Sequence, residues 1–237
     1  MRIYGLQKLS LLDYPEKTAA TVFTGGCNMR CPFCHNATLV TNSVQCERIP
    51  ESEFFDFLEK RRGKLDAVCI SGGEPCLQSD LKSFIRRVRN MGFLVKLDTN
   101  GGFPDNLEEM IYLGLLDYVA MDFKNVPEKY PLTAGVVKFN FDPIFESINV
   151  LKKNKVPYEF RTTMVKGLHD PQDIPRFGKI LEGAKRYYIQ SFVDSGELIG
   201  FGPHIKDQKM ESFSKEELLS FVEILKPFVE TVGLRGV

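Results

Sequence analysis

The chain has 237 residues, and its 31 Lys and Arg balance 31 Asp and Glu, so the formal net charge at pH 7 is zero. A hydrophobic content of 43% with 26% charged residues excludes a disordered chain, and the even balance gives no reason to expect nucleic acid as a partner. No apolar run reaches the ~18 residues of a membrane span, and Met1–Lys8 lacks the apolar core of a secretory leader, so a cytoplasmic protein without a membrane partner is expected.

Short β-rich runs alternate with helical spacing along the chain. After an N-terminal extension, Ala20–Thr24 is β-branched and aromatic and ends in Gly25-Gly26. Phe54, Phe55 and Leu58 then recur at helical intervals. Ala67–Ser71 is almost continuously apolar and runs into Gly72-Gly73; Leu77, Leu81, Phe84, Ile85 and Val88 follow as a helical stripe. Two more runs, Phe93–Asp98 and Tyr118–Asp122, precede the stripe Ile144, Ile148 and Leu151, for which Asp142 is the expected N-cap and Pro143 the first helical residue. Tyr158–Thr163 and Arg186–Gln190 complete the strand-like runs. The final stripe, Leu218, Phe221, Val222 and Leu225, follows Ser214 and Glu217 at capping-box spacing.

Apolar runs of this kind suit parallel strands buried on both faces, and strand–helix alternation implies right-handed βαβ units. About six units are present. An eight-unit barrel needs ~250 residues, so the expected fold is α/β, an incomplete (β/α)6 TIM-like barrel. With no repeat, low-complexity tract or linker, residues 1–237 read as a single domain. Its core spans about 18–192, and segment 193–237 carries no assignable motif.

Each run ends in residues with chemical capacity: Gly26-Cys27, Ser71-Gly72-Gly73-Glu74-Pro75, Asp98-Thr99-Asn100-Gly101, Asp122-Phe123-Lys124, Arg161-Thr162-Thr163 and Gln190-Ser191-Phe192. Ligands of parallel α/β folds bind at the carboxyl ends of strands, so these six ends are expected to form one functional rim.

Three of the six cysteines fall in Cys27-Asn28-Met29-Arg30-Cys31-Pro32-Phe33-Cys34. In a reducing compartment such spacing points to metal or redox chemistry rather than to structural disulfides. Three readings compete. A structural zinc site would want a fourth ligand, and His35, adjacent to Cys34, is poorly placed for the same ion. A thioredoxin-like dithiol at Cys31 and Cys34 leaves Cys27 unexplained. An iron–sulfur cluster with three protein thiolates would leave one iron open to another ligand.

The CxxxCxxC pattern with an aromatic residue before its third Cys, together with Ser71–Pro75 at the next strand end, resembles the radical S-adenosylmethionine enzymes over about Thr18 to Gln190. Cys34-His35-Asn36, Asp98–Gly101 and Met121-Asp122-Phe123-Lys124 are further similar to the glycyl-radical-enzyme activases. Those serving anaerobic ribonucleoside-triphosphate reductase are nearest in pattern, with those of pyruvate formate-lyase next. The resemblance implies a radical S-adenosylmethionine barrel, one 4Fe–4S cluster on Cys27, Cys31 and Cys34, and S-adenosylmethionine chelating the fourth iron. Reductive cleavage would then give a 5′-deoxyadenosyl radical that abstracts hydrogen from a glycine of the partner.

On the same resemblance, Gly72 and Gly73 would let the backbone approach the methionine moiety, and Glu74 would meet its amino group. Asp122 and Lys124 would contact the amino and carboxylate ends, and Asp98 and Thr99 the ribose or amino acid. Phe33 and His35 would lie beside the adenine. Gln190 stands where a His is found in the pyruvate formate-lyase activases. No side chain is expected as acid or base. Flavodoxin or ferredoxin would be the electron donor. A radical enzyme acting on a small molecule or on pyruvate formate-lyase is the alternative, and a metal-binding or redox module the non-enzyme one.

Blander readings stand beside these. Gly72-Gly73 could be an ordinary turn, Asp122 and Lys124 a surface ion pair, and Arg161 a buried partner for an acidic residue. His169 and His204 are expected in solvated loops, and Cys69 is expected to pack as a small hydrophobe. Cys76 reads as a bystander beside the site, and Cys46 is uninformative.

Overall fold

A computed structural model of the chain describes residues 1–41, 46–201 and 209–236. Eight strands form one sheet in sequence order: β1 (Ile3–Ser10), β2 (Ala19–Thr24), β3 (Ala67–Gly72), β4 (Leu94–Thr99), β5 (Tyr118–Asp122), β6 (Tyr158–Met164), β7 (Arg186–Ser191) and β8 (Thr231–Arg235). β1 is antiparallel to β2, and every later pair is parallel. The six expected runs are β2 to β7. Among the described residues β1 and β8 do not pair with each other, so the barrel is open.

The helices are α1 (Ala37–Thr41), α2 (Glu51–Glu59), α3 (Leu81–Asn90), α4 (Pro104–Tyr112), α5 (Tyr130–Ala134), α6 (Asp142–Lys152), α7 (Ile174–Ile180) and α8 (Lys215–Leu225). Their apolar stripes pack on one face of the sheet. Phe84, Ile85 and Val88 of α3 and Ile144, Ile148 and Leu151 of α6 are buried in one continuous cluster with Val68, Ile70, Val95, Leu97, Val119 and Phe160. Each such side chain contributes about 1.5–3 kcal/mol of burial. No helix among the described residues is long and apolar enough to cross a membrane.

Two helix expectations are corrected. Leu77 is not on the α3 stripe; it ends the short 3-10 turn Pro75–Leu77 and is 38% exposed. Asp142 is the first residue of α6 rather than its cap: Pro143 falls one position later, and the Asp142 N–H donates to the Asn140 side chain at 3.0 Å. The Ser214–Glu217 capping box is present at the start of α8.

The other face of the sheet changes character along the strands. At their starts Ala19, Ala67 and Tyr118 pack with Tyr14 and Leu94 into a small apolar floor. Two residues further along come Cys69 and Lys96, and then Asp98, Asp122 and Arg161 at the strand ends. The polar groups of the interior are thereby concentrated at one end.

Candidate functional site

The carboxyl ends of β2 to β6 enclose a cavity of about 210 Å³. Its wall contains Cys27, Cys31, Phe33, Cys34, His35, Gly72, Gly73, Asp98, Thr99, Asp122 and Lys124. It also contains Met29, Asn36, Val40, Ser71, Asn100, Arg161 and Thr163. Two expected site residues, Glu74 and Gln190, are not part of that wall.

The cysteine loop between β2 and α1 is anchored from outside by backbone bonds. The Arg30 N–H donates to Ala134 O at 2.8 Å, and the Gly200 N–H to Pro32 O at 2.9 Å. The Arg30 guanidinium donates to Cys27 O at 2.6 Å and Met29 O at 2.8 Å, tying the loop to itself. From β4, Asn100 Nδ2 donates to Asn28 Oδ1 at 2.7 Å and lies 3.7 Å from Cys27 Sγ.

All three thiols are free. Burial pushes each of them up, Cys27 to about 11, and the Lys124 ammonium opposes the shift at all three. The soft donor set fits an iron–sulfur group, in which each thiolate takes its own iron. A single zinc ion would want a fourth ligand, and His35, next to Cys34, has its Nε2 2.8 Å from Val193 O. Binding would displace the thiol protons.

Gly72 and Gly73 are required by the end of β2 and the residues that follow it. Gly72 has φ +115°, and a Cβ there would lie 2.5 Å from Thr24 O. A Cβ on Gly73 would be driven into the Gly26 carbonyl. Only residues without a Cβ allow this approach. The Glu74 N–H donates to Gly26 O at 2.8 Å, continuing the close contact.

The Glu74 carboxylate, 1% exposed, is buried behind wall residues and is not part of the wall. It accepts from Thr99 Oγ1 at 2.8 Å, Asn100 N at 2.7 Å and Cys76 N at 3.0 Å. Both its oxygens are engaged, so it clamps the end of β4 to the turn after β3. Gln190 is in register with Thr163 on β6, and it is Thr163 that reaches the wall.

A charge network crosses the floor of the cavity. Arg161 lies 3.4 Å from an Asp98 oxygen and 3.0 Å from an Asp122 oxygen. Lys96 pairs with Asp98, and Lys124 stands 3.4 Å from Asp122. Burial alone would raise both carboxyls. Arg161 and Lys96 overcome it at Asp98, and Lys124 and Arg161 at Asp122, holding both below the ordinary range. The wall itself carries two cations, Arg161 and Lys124, against two carboxylates, Asp98 and Asp122, so both signs face the cavity, while Lys96 is buried behind Asp98. Asp122 and Lys124 are therefore not a surface pair, Lys124 being 9% exposed. Lys124 Nζ also lies 5.8 Å from the centroid of the Phe33 ring, and His35 Nε2 is 2.8 Å from Val193 O.

His169 departs from expectation. It is 5% exposed, with Nε2 2.7 Å from Lys124 O and Nδ1 2.9 Å from Val165 N. Its loop folds inward against Phe177, which a local reading of Gly167-Leu168-His169-Asp170 could not show. His204 lies outside the described residues. Cys69 is fully buried, 3.8 Å from Lys96 Nζ, and Cys76 is buried behind Glu74; neither is in the wall. Cys46 is half-buried and is not in the wall. The wall residues not singled out from sequence are of two kinds. Met29, Asn36, Ser71, Asn100, Arg161 and Thr163 sit inside the motifs and strand ends read from sequence without having been named as ligand contacts, whereas Val40 carries no such signal.

The profile of the radical SAM superfamily matches residues 21–177. A relative from Methanocaldococcus jannaschii, provisionally named a glycyl-radical enzyme activating enzyme, is 36% identical over 99% of this chain and 96% of its own. The pyruvate formate-lyase-activating enzyme of Listeria monocytogenes is 29% identical over 76% of each chain. Among solved structures, Streptococcus suis SuiB bound to its precursor peptide SuiA superposes with a TM-score of 0.68 at 12% identity. That match covers 91% of this chain and 48% of SuiB, a likeness of fold.

Proposed function

The chain belongs to the radical SAM superfamily, among the glycyl-radical-enzyme activating enzymes, and from that premise we propose that it generates the glycyl radical of anaerobic ribonucleoside-triphosphate reductase. The observation that carries the site assignment is the convergence of three free thiols and an ionised Asp–Arg–Lys network on one cavity at the strand ends. In this reading Cys27, Cys31 and Cys34 ligate one 4Fe–4S cluster. When bound, the reduced cluster and S-adenosylmethionine supply the radical chemistry, and the protein binds, orients and excludes water.

The wall residues divide the work of binding by charge. Arg161 and Lys124 offer cations to the methionine carboxylate, while Asp98 and Asp122, held ionised, offer acceptors to its ammonium or to the ribose. The Thr99 hydroxyl already donates to Glu74, so it presents the ligand only a lone pair. Phe33 and His35 supply flat surfaces for the adenine. Glu74 acts from behind, fixing the β4 end that carries Thr99 and Asn100. Gln190 keeps a role only if the ligand extends past Thr163. No wall residue is assigned as a general acid or base, since hydrogen abstraction needs none. Flavodoxin or ferredoxin supplies the electron in this reading, and an oxygen-labile cluster on reduced thiols suits the cytoplasm.

The test is anaerobic. After reconstitution with iron and sulfide and reduction, the wild type is expected to form 5′-deoxyadenosine from S-adenosylmethionine, and Cys31→Ala to form none. Electron paramagnetic resonance of the mixed partners should then show a glycyl radical on anaerobic ribonucleotide reductase. A radical on pyruvate formate-lyase instead would replace the partner and keep the chemistry. Iron-loaded protein whose cluster spectrum ignores S-adenosylmethionine would overturn the reading altogether.

A further inference from the structure

Lys124 reaches the cavity from the segment that follows β5, beyond the last ladder bond of that strand. That segment is held by side chains from elsewhere. Thr162 Oγ1 donates to Phe123 O, and the tie at Lys124 itself is His169, on the loop after β6, whose Nε2 lies 2.7 Å from the backbone oxygen of Lys124. The other ring nitrogen, Nδ1, is 2.9 Å from the Val165 amide nitrogen.

These two partners fix the proton. A backbone carbonyl can only accept, so Nε2 carries a hydrogen and donates to Lys124 O; Nδ1 lies 2.9 Å from Val165 N and 3.2 Å from Val165 O, and in the neutral ring it accepts from the amide. The ring is thus committed at both ends as one neutral tautomer. The cations around it, Lys124 and Lys129, disfavour a second proton. Phe177 packs edge-on to the ring at 6.2 Å and fixes its plane. Asn125 adds a parallel tie, donating to Leu168 O at 2.9 Å and Thr133 Oγ1 at 2.8 Å. An apolar residue could fill the space of His169. It would leave Lys124 O and Val165 N–H buried without these partners, and the loops after β5 and β6 would lose their register.

We propose that His169 is a positioning residue that sets the place of Lys124 in the cavity, and so the affinity for S-adenosylmethionine, without touching the ligand itself. This rests on the function proposed above.

The two halves of the imidazole can be removed separately. His169→Asn keeps an acceptor near the place of Nδ1 and loses the donor to Lys124. His169→Gln keeps a donor at about the reach of Nε2. On anaerobically reconstituted protein, with folding checked by melting, His169→Asn is expected to raise the dissociation constant for S-adenosylmethionine about tenfold. His169→Gln should stay within about threefold of wild type. In a Lys124→Ala background, adding His169→Asn should change the constant by less than about twofold, because the residue through which it acts is gone.

Unchanged affinity in His169→Asn, or a full loss that persists in the Lys124→Ala background, would overturn the proposal. If His169→Asn does not fold, the cycle is run with His169→Gln and Lys124→Ala: additive losses overturn it, and non-additive ones support it. A wild type that carries iron but fails to bind S-adenosylmethionine overturns the function, and this inference falls with it. A wild type that binds while His169→Asn binds equally well overturns only the inference.

Discussion

At the scale of single residues, two positions carry consequences that go beyond their own atoms. Gly73 faces the carbonyl of Gly26, one residue before the first cysteine of the loop. Gly73→Ala should therefore destabilise the protein by about 1–3 kcal/mol and lower its iron content after reconstitution, measured by melting and metal analysis. His169 makes a statement about pH. Burial, with the Lys129 and Lys124 ammoniums acting in the same direction, holds it down from the ordinary 6.5 to about 4. The unfolded chain takes up this proton below about 6.5 while the folded one does not until about 4. The stabilisation is complete above pH 6.5 and is lost as pH falls toward 4, up to about 3 kcal/mol at 1.36 kcal/mol per pH unit. Urea midpoints at pH 7 and pH 5, at matched iron content, should fall for the wild type and change less for His169→Gln. Residue identities read from motifs told where chemistry would be, yet not which atoms face it. Glu74 stands inside the Gly-Gly-Glu-Pro signature and still points its carboxylate into a clamp on Thr99 and Asn100.

At the scale of elements, legibility followed burial. β2 to β7 are covered by helices on one face and are closed by one another on the other, so they read as apolar runs. β1 and β8 are sheet edges with half-exposed residues and no sustained apolar run, and both went unanticipated. β8 also contains Gly233, at which a Cβ would come within 2.8 Å of the Tyr188 ring, so its strand character depends on a neighbour. α8 shows the opposite case. Its capping box is a local contract between Ser214 and Glu217, and such contracts survive tertiary context. Ser214→Ala should cost about 1 kcal/mol in thermal unfolding and leave iron binding unchanged, because α8 packs against α7, β7 and β8 rather than on the cavity. α6 marks the limit of such signals: Asp142-Pro143 announced a helix start correctly to within one residue, but Phe141 stands at the cap and the Asp142 N–H donates to the Asn140 side chain.

At the scale of the whole molecule, the sheet gathers five strand ends into one cavity, so ligand binding and global stability are linked. S-adenosylmethionine at about 100 times its dissociation constant should raise the unfolding free energy by about 2.7 kcal/mol in iron-loaded wild type. In Cys31→Ala, with one of the three thiolates missing, the stabilisation should vanish; thermal melts with and without the ligand read both. The sequence by itself determined the strand–helix alternation, the six parallel strands and the clustering of reactive residues at their ends, because those features are written in local spacing and in apolar periodicity. It also determined the cysteine triplet, since a metal-binding loop is contiguous. Only the tertiary structure decided how those residues divide between cavity and scaffold. Register put Arg161 between Asp98 and Asp122, and Thr163 on the wall in place of Gln190. Loop packing buried His169 against Lys124. These outcomes depend on which distant segments meet across the sheet, and no window of the chain contains both halves of such a contact.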